Sequence, residues 1–455
     1  MSARAIVLAA GKGTRMKSSR PKVLHELCGR PMLWWVLEAL RASAVEEIVV
    51  VTNDELEPAV APLGVRSVVQ REQLGTGHAV RIALEALDAR DGTLIVAYGD
   101  MPLVEPQTFA AVSAALESNP ANAIALVTAR MPLPSAFGRV LRAAATSGGN
   151  AAVERIVEAK DCTAEQLATD EMNAGIYAFD EAALREVVPR IGRDNAQGEY
   201  YLTDAVELAI AAGRRVVPVA VSDYRSVLGV NDRVELAAAY ALLNRRLCED
   251  HMRAGVTICD PATTYLTPGL QIARDVTIYP GTSIAGPARI GEGTAIGPRC
   301  RLADVVIGSG CDIRESVVLR TRIGDDVRIG PFAHLRDGNV IGDRVRVGNF
   351  VEFKNAQIGD DVKANHLAYI GDAEVGDRTN YGAGAITCNY DGVKKNRTTI
   401  GSDVFVGTNS SLVAPITLGD GAMTGAGSVV IRDVPAGDKQ VGNPARSIAK
   451  KAAGT

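Results

Sequence analysis

The 455-residue sequence has no apolar run approaching the length that a membrane-spanning helix requires, which is about 20 residues. It also lacks an excess of charge of one sign, since the formal net charge is −4. A balance this mild gives no support to a nucleic-acid or membrane-surface partner. The apolar start, residues 1–10, is too short for a signal peptide and is followed directly by basic residues.

Cysteine is scarce and scattered. The seven cysteines are odd in number, widely spread, and never form a CxxC pair. This spacing argues against both a disulfide framework and a zinc site. We interpret them as free thiols in a reducing compartment, which predicts a cytoplasmic location.

The N-terminal half alternates between short apolar runs and helical stretches. Runs rich in β-forming residues occupy residues 4–10, 48–52, 65–70, 93–97 and 124–129, with helical patterns between them, for example at 32–42 and 78–87. This alternation predicts a Rossmann-like, mostly parallel α/β sheet with helices on both faces. Ligands of such sheets bind beyond the carboxyl ends of the strands.

A glycine-rich turn, LAAGKGTRM at residues 8–16, follows the first predicted strand. Its backbone amides can approach a phosphate chain closely. It matches neither the dinucleotide-binding fingerprint nor the Walker A loop, and a Gly-x-Gly alone is equally typical of a simple tight turn. The nearby cations Lys12, Arg15 and Lys22 favour a polyphosphate ligand.

Two further segments follow strands in the same way. Asp100, directly after the strand at 93–97, is placed to hold Mg²⁺ against a phosphate, although an aspartate in a turn before Pro102 is an equally good interpretation. The segment from Gln70 to His78 contains a second glycine-rich turn before a helix. Its amides can recognise a base edge, but any helix N-terminus would look the same.

The second half of the chain repeats with a period of six. The apolar positions are Ile272, Ile278, Ile284, Ile290, Ile296 and Leu302; Ile323, Ile329, Leu335, Ile341, Val347 and Phe353; and Ile400, Val406, Leu412, Leu418, Thr424 and Val430. This period predicts a parallel β-helix. After Phe353 the inward positions shift to Ile358, Ala364 and Ile370, and residues 387–399 break the period as an insertion loop.

Three hexads form one coil of a triangular prism, so residues about eighteen apart stack on neighbouring coils, roughly 4.8 Å apart. Arg336 therefore stacks on Lys354, and Glu352 on Tyr369, with His366 between them in sequence. Two cations, a carboxylate, a phenol and an imidazole favour a site for an anionic substrate. The alternative is a solvated corner, where charged residues are common.

A long Ala- and Leu-rich helix is predicted over 232–253, with Asp232 as its N-cap. It divides the chain into a domain at 1–231, a linker helix at 232–254 and a repeat domain at 255–455.

Several motifs resemble those of sugar-1-phosphate nucleotidyltransferases: LAAGKGTRM, PKVLH at 21–25, EQLGTGHA at 72–79 and YGDMPL at 98–103. In the repeats, KANHLAYIGD at 363–372 and NYDG at 389–392 are similar to the acetyltransferase half of a bifunctional bacterial family that makes UDP-N-acetylglucosamine. The resemblance covers nearly the whole chain. It implies a left-handed β-helix, a homotrimer, the substrates UTP and acetyl-CoA, and Mg²⁺ as cofactor.

The resemblance also implies roles for individual residues of the first domain. Arg15 and Lys22 would neutralise charge on the phosphates, and Asp100 with Asn231 would bind Mg²⁺. The nucleotide and sugar would be held by Leu8, Ala9, Ala10, Gly11, Lys22, Gln70, Gly75, Thr76, Tyr98, Gly99, Asp100, Gly138, Glu158, Asn173 and Asn231.

In the repeat domain, the resemblance makes His366 the general base for acetyl transfer to glucosamine-1-phosphate, with Glu352 supporting it. The sugar phosphate would be held by Arg336, Lys354, Tyr369 and Asn380. The acetyl-CoA groove between subunits would be lined by Ala383, Asn389, Tyr390, Thr408 and Ala426.

Two departures from the family pattern stand out. Asp337 stands where family members often have proline, and the end of the chain, VGNPAR at 441–446, resembles other hexapeptide acyltransferases. One rival hypothesis is a single-activity nucleotidyltransferase whose β-helix only assembles subunits, and another is a different base or sugar. His366, Tyr369 and the Asn-Tyr insertion favour two activities, because a purely structural β-helix needs none of them.

Overall fold

A computed structural model describes residues 3–143 and 152–448, which belong to two compact units, Met1–Leu242 and Leu243–Thr455. The helix Arg233–Arg253 agrees with the helix predicted at 232–253, and the boundary between the two units falls inside it. Asp232 caps it, because its Oδ1 accepts hydrogen bonds from the amides of Val234 and Glu235 at 2.8 and 2.9 Å. The outer limits of the predicted domains, residues 1 and 455, lie outside the described residues.

The first unit is built on one nine-stranded sheet. Its main path runs, in spatial order, through Arg215–Val221, Asn122–Arg130, Glu171–Asp180, Thr93–Tyr98, Ala3–Leu8, Val45–Thr52 and Arg66–Val69. Only Glu171–Asp180 runs antiparallel to its neighbours on this path, and the hairpin Arg139–Arg142 and Val153–Val157 joins its end. The predicted mostly parallel sheet is therefore confirmed.

Helices cover both faces of the sheet, with a separate apolar core under each layer. Strands buried on both faces need continuous apolar runs, which explains the pattern seen in the sequence. The helices are Met32–Ala42, Glu57–Val60, Thr76–Ala86, Pro106–Glu117, Ala164–Leu167, Glu181–Val187 and Asp204–Ala211, with 3-10 turns at Thr14–Met16, Lys22–Leu24, Ala61–Leu63, Val188–Arg190 and Tyr224–Val227 and a small hairpin, Glu26–Leu27 with Arg30–Pro31.

The second unit is a parallel β-helix whose short strands form three faces. Face 1 contains Thr257–Ile258, Thr277–Ile278, Ala295–Ile296, Asp312–Ile313, Arg328–Ile329, Arg346–Asn349, Lys363–His366, Asn380–Tyr381, Phe405–Val406, Met423–Thr424 and Lys439–Val441. An antiparallel strand, Arg446–Ser447, pairs with the last of these.

Two strands, Glu352–Ile358 and Tyr369–Val375, bend around a corner and contribute to both remaining faces. Face 2 also contains Tyr265–Leu266, Ser283–Ala285, Arg301–Ala303, Val317–Leu319, His334–Leu335, Ile386–Cys388, Ser411–Val413 and Val429–Val430. Face 3 also contains Gln271–Ile272, Arg289–Ile290, Val306–Ile307, Arg322–Ile323, Val340–Ile341, Thr398–Ile400 and Ile416–Leu418.

The predicted inward positions fill the core of the prism. Every residue of the three hexad runs is buried except Ile272, which is partly buried, and the shifted positions Ile358, Ala364 and Ile370 are buried too. Tight corners exclude side chains, since a Cβ on Gly342 would collide with the Asp360 carboxylate of the next coil. The insertion predicted at 387–399 leaves between faces 2 and 3, from Ile386–Cys388 to Thr398–Ile400.

Within residues 3–143 and 152–448, no helix combines the length and the apolar character needed to cross a membrane.

Candidate functional sites

The first site is a cavity of about 480 Å³ at the carboxyl ends of the central strands. It lies where the turn after Ala3–Leu8, the turn before Thr76–Ala86 and the turn holding Asp100 come together. Its lining residues are Leu8, Ala9, Ala10, Gly11, Lys12, Lys22, Val23, Gln70, Gln73, Gly75, Thr76, Ala79, Tyr98, Asp100 and Glu199. The structure thus brings most of the expected nucleotide residues into one concavity, as the switch-point rule for such sheets predicts.

Hydrogen bonds to backbone carbonyl groups hold these turns together. The Gln73 side chain donates to the Ala10 carbonyl at 2.7 Å, and the Gln70 side chain donates to the Gly75 carbonyl at 3.1 Å. Gly99 lies behind the cavity, where its amide donates to the Leu8 carbonyl at 2.9 Å. Gly75 has φ +112° and faces the chain at Tyr200, so a Cβ there would lie 2.5 Å from the Tyr200 carbonyl oxygen.

Lys22 and Asp100 of this cavity meet Asn231, which lines a neighbouring cavity. The Lys22 ammonium contacts Asp100 Oδ2 and donates to Asn231 Oδ1 at 3.1 Å. The Val230 amide donates to the Asp100 carbonyl at 2.9 Å, which fixes the Asn231 turn beside Asp100. A carboxylate oxygen and an amide oxygen therefore converge on one cation.

This donor set fits Mg²⁺, which commonly takes one or two carboxylates from the protein and its remaining ligands from substrate phosphates and water. Among residues 3–143 and 152–448 there is no cluster of three or more histidine, cysteine, aspartate or glutamate side chains suited to a metal. A Mg²⁺ held by Asp100 and Asn231 would therefore depend on the substrate for its other ligands.

A second cavity of about 210 Å³ shares Tyr98 and Asp100 with the first. Its lining residues are Tyr98, Asp100, Met101, Ala136, Phe137, Gly138, Glu158, Asn173, Ala174, Gly175, Gly229 and Asn231. Gly138, Glu158 and Asn173, which belong to the predicted nucleotide- and sugar-binding set but do not line the first cavity, are among them. The two cavities meet beside the Lys22–Asp100 pair, so a molecule bound across both would place its middle at those charges.

The second cavity is lined by partly buried polar groups. Burial raises the pKa of Glu158, against a hydrogen bond donated by Thr203. Burial, and then the charges of Glu158 and Asp100, raise the pKa of Tyr98, so its phenol stays protonated. The Asn173 side chain is fixed by Tyr177, whose hydroxyl accepts its hydrogen bond at 2.6 Å.

Arg15 is placed differently from the expectation. Its exposed side chain lines a neighbouring hollow with Gly229 and Asn231, and it is not among the lining residues of the 480 Å³ cavity. Lys12 lines that cavity instead. The proposed role of Arg15 on the phosphates therefore depends on a movement of the 11–17 turn or on a ligand that extends past Asn231.

In the β-helix, His366 lies at the corner between faces 1 and 2. Its Nδ1 is 2.7 Å from Asn349 Oδ1, which belongs to the coil below and is in register with it. A carbonyl oxygen can only accept, so this contact places the proton on Nδ1 and leaves Nε2 available as a base. The partner of His366 is therefore Asn349 and not Glu352, whose carboxylate accepts from Arg336 at 2.9 Å.

The same corner continues upward through the residues expected to line the acyl-donor groove. The Gly384 amide donates to the His366 carbonyl at 3.3 Å, the Asn409 amide to Ala383 at 2.8 Å, and the Gly427 amide to Thr408 at 2.8 Å. Ala383, Thr408 and Ala426 thus follow one another coil by coil above His366. Thr408 and Ala426 are exposed, and Ala383 is partly exposed.

Face 2 and its corner with face 3 carry most of the other expected residues. Glu352 is in register with Tyr369, and Leu335 with Phe353, so both predicted stacks, Glu352 on Tyr369 and Arg336 on Lys354, are present. Asn380 lies apart from them on face 1, in register with Lys363.

The insertion loop folds down onto this corner. The buried side chain of Asn389 donates to Asp372 at 2.5 Å and to the Tyr369 hydroxyl at 3.4 Å. Tyr390 is exposed, and its hydroxyl donates to the Gly392 carbonyl within the loop. Lys395 approaches Lys354, which lowers the pKa of Lys395. Both ammonium groups lie near the Asp372 carboxylate, so two positive charges face one negative charge in this cluster, which favours binding of an anion.

Sequence reasoning missed Asn349, Asp372 and Glu199 as members of these sites. Asp372 stands inside the motif KANHLAYIGD, but without a partner that the spacing could identify, and Glu199 lies in none of the motifs described above. Asn349 has no motif of its own. Its role emerges only from the register between coils.

A two-cavity α/β sheet with a glycine-rich turn, followed by a β-helix with an imidazole corner, defines a nucleotidyltransferase domain joined to a hexapeptide-type acyltransferase domain. Residues 5–164 match the MobA-like NTP transferase domain. Residues 320–355 and 397–432 match the bacterial transferase hexapeptide repeat.

The chain is similar over nearly all its length to curated proteins named bifunctional protein GlmU. It is 45% identical to that of Halalkalibacterium halodurans, with 95% of this chain and 94% of the relative covered. It is 46% identical to that of Kineococcus radiotolerans (95% and 88%) and 44% identical to that of Streptomyces avermitilis (96% and 91%). The chain therefore belongs to the GlmU family.

Proposed function

We propose that this chain makes UDP-N-acetylglucosamine in two steps at two separate sites. The β-helix transfers an acetyl group from acetyl-CoA to glucosamine-1-phosphate, and the α/β domain then transfers uridylyl from UTP to N-acetylglucosamine-1-phosphate. The observation that carries the proposal is the pairing, in one chain, of two joined cavities around Lys22 and Asp100 with a β-helix that carries the His366 corner at one edge of face 2 and a cation cluster at the other.

For uridylyl transfer, an oxygen of the sugar phosphate attacks the α-phosphorus of UTP and pyrophosphate leaves. Such a reaction depends on positioning and on neutralising charge, and it needs no protein nucleophile. The 480 Å³ cavity would hold the nucleotide and the 210 Å³ cavity the sugar, so that the reacting phosphates meet at Lys22. Mg²⁺, held by Asp100 and Asn231, supplies further positive charge when bound.

For acetyl transfer, the 2-amino nitrogen of the sugar attacks the thioester carbonyl carbon, and coenzyme A leaves as the thiolate. Nε2 of His366 would take the proton that the amine loses, while Asn349 keeps the ring oriented through Nδ1. Arg336, Lys354 and Tyr369 would bind the sugar phosphate, and Glu352 would act through Arg336 and not through His366. The column Ala383, Thr408 and Ala426 would lie along the acyl donor.

A trimer is supported by an exposed apolar column at the corner between faces 1 and 2. Phe332, Phe350 and Leu367 are 53%, 56% and 62% exposed, and the two phenyl rings stack at 5.4 Å. Each has a positive φ, between 51° and 63°, which bulky residues rarely adopt. A second copy of the chain would cover this column. His366 lies at this corner and Lys354 at the other edge of face 2, as expected if subunits complete each other's sites.

The apolar column gives a direct test of assembly. Phe350→Glu is expected to dissociate the oligomer and to lower acetyl transfer at least tenfold, because an interface aromatic contributes about 2 kcal/mol or more. Uridylyl transfer is expected to continue unchanged. Sedimentation velocity and both activity assays measure these effects.

Val340→Glu, on face 3 and 40% exposed, is the matched control and should leave assembly intact. An unchanged sedimentation coefficient for Phe350→Glu would remove this corner from the interface.

The two activities are tested separately with the wild-type chain. Thiol release from acetyl-CoA should require glucosamine-1-phosphate, and pyrophosphate release from UTP should require N-acetylglucosamine-1-phosphate and Mg²⁺. Pyrophosphate release without thiol release would leave a uridylyltransferase with a structural β-helix. Faster turnover with another nucleotide or sugar phosphate would replace the proposed substrates.

A further inference from the structure

Asp372 occupies the corner between faces 2 and 3, directly beneath the insertion loop. Its Oδ1 accepts a hydrogen bond from Asn355 at 2.8 Å, and its Oδ2 accepts one from Asn389 at 2.5 Å. The Lys354 ammonium lies 3.7 Å from the same Oδ2. One carboxylate therefore joins a residue expected to bind the sugar phosphate to a residue expected to line the acyl-donor groove.

The carboxylate is largely buried, with 13% of its side chain exposed against 19% for Lys354. Burial opposes its charge, but the hydrogen bonds from Asn355 and Asn389 and the charge of Lys354 keep the pKa of Asp372 below its ordinary value. Asp372 is thus an anion at neutral pH. A buried anion normally costs stability, and here three partners offset that cost.

The fold of the corner does not require this charge. Asp372 has φ 49°, and Asn355 has the same φ at the same corner one coil below. Asparagine and aspartate both tolerate the left-handed region well. A neutral side chain therefore suffices for the turn, and the carboxylate serves the groups around it.

We propose that Asp372 is the positioning residue of acetyl transfer: it fixes Asn389, and with it the start of the insertion loop, against the two neighbouring coils that carry Lys354 and Tyr369. The acyl-donor groove is then held in register with the sugar-phosphate subsite. This inference rests on the proposed acetyltransferase function and deepens it. Asn389 Nδ2 also lies 3.4 Å from the Tyr369 hydroxyl, so the phenol is part of the same arrangement.

Asp372→Asn removes the negative charge but keeps a side chain that tolerates the left-handed backbone of the turn. An asparagine offers one acceptor oxygen to two amide donors, so Asn355 or Asn389 would face an NH₂ group. The KM for acetyl-CoA is expected to rise roughly tenfold, the effect of losing one charge-assisted hydrogen bond. The KM for glucosamine-1-phosphate should not rise, because Lys354 loses a competing anion.

The double variant Asp372→Asn with Asn389→Asp exchanges donor and acceptor in the hydrogen bond between residues 372 and 389. The new side chain at 372 can still accept from Asn355 through its oxygen and can donate to the carboxylate at 389. That carboxylate also restores a negative charge near Lys354. Most of the lost affinity for acetyl-CoA should return, because the contact between residues 372 and 389 is remade.

Asp361→Asn is the matched control. Asp361 also has a positive φ, 58°, and is paired with Arg344 at 2.9 Å, but it lies at the corner between faces 3 and 1. Its replacement should leave both KM values unchanged.

Three outcomes would overturn the inference. They are unchanged kinetics in Asp372→Asn, a parallel rise of both KM values, and no recovery in the double variant. Uridylyl transfer and the melting temperature of each variant report on folding. No acetyl transfer by the wild-type chain would instead overturn the proposed function, and this inference with it.

Discussion

His366→Ala is expected to abolish acetyl transfer and to leave uridylyl transfer at the wild-type rate. Loss of a general base costs about 10²- to 10⁴-fold, because the amine must then lose its proton to water. The imidazole is exposed and its polar partner is Asn349, so its removal should leave the β-helix folded. Thiol release from acetyl-CoA, measured beside pyrophosphate release from UTP, gives both activities from one preparation.

Asn349→Ala tests the residue that orients the His366 ring. It removes the group that orients the ring but keeps the base, so a smaller loss of acetyl transfer is expected. If His366→Ala retained acetyl transfer, the base would have to be another group. If both activities disappeared from a chain with an unchanged melting temperature, the two sites would not be independent.

Asp100→Ala is expected to lower uridylyl transfer by about two to three orders of magnitude, as does loss of one group that stabilises transition-state charge. A carboxylate oxygen of Asp100 and the side-chain oxygen of Asn231 approach the same cation, the Lys22 ammonium. Of these two oxygens, that of Asp100 carries the charge. Acetyl transfer should not change. Pyrophosphate release as a function of Mg²⁺ concentration measures the effect, and the Mg²⁺ needed for half-maximal rate should rise.

Removing Asp100 also frees Lys22, which could then bind the phosphates unproductively. Lys22→Met alone and together with Asp100→Ala separates the two causes. If the double variant were more active than Asp100→Ala, the released Lys22 would account for part of the loss. Turnover that is unchanged in Asp100→Ala at limiting Mg²⁺ would rule out a metal role for this carboxylate.

The fold could be predicted because two patterns in the sequence are strong. One is the six-residue repeat of the second half, and the other is the alternation of apolar runs and helical stretches in the first half. A six-residue repeat leaves few choices for the inward positions, and buried parallel strands require apolar runs. The observed strand ends differ from the predicted ones by only a few residues. One strand, for example, is Val45–Thr52 where 48–52 was predicted. The helix Met32–Ala42 was placed as the structure has it.

The partners within the acetyl-transfer site were harder to predict, because they depend on the length of single coils. A spacing of eighteen would stack His366 on Gly348 and Asp372 on Lys354. These coils are one residue shorter, with a spacing of 17, so the true partners are Asn349 and Asn355. When a coil is one residue shorter, each polar side chain at its corner contacts a different residue of the neighbouring coil. The pattern of inward apolar residues remains recognisable.

Arg15 shows a different limit. Lys12 and Arg15 are three residues apart in one turn, and composition alone treats them alike. Gly13 between them has φ +58°, which turns the chain sharply. Lys12 faces the nucleotide cavity and Arg15 the hollow beside Asn231. Side-chain direction in such a turn follows from backbone angles, which the order of charges does not reveal.

The antiparallel pairing of Arg446–Ser447 with Lys439–Val441 has a consequence for how the β-helix ends. A stack of parallel strands is open at its last rung and can accept a further strand from another molecule. A strand of opposite direction occupies that rung on face 1 and offers the wrong hydrogen-bond pattern to another parallel coil. This strand therefore blocks the addition of another parallel coil and disfavours end-to-end association of β-helices into fibres. Side-by-side contacts between the prisms remain open.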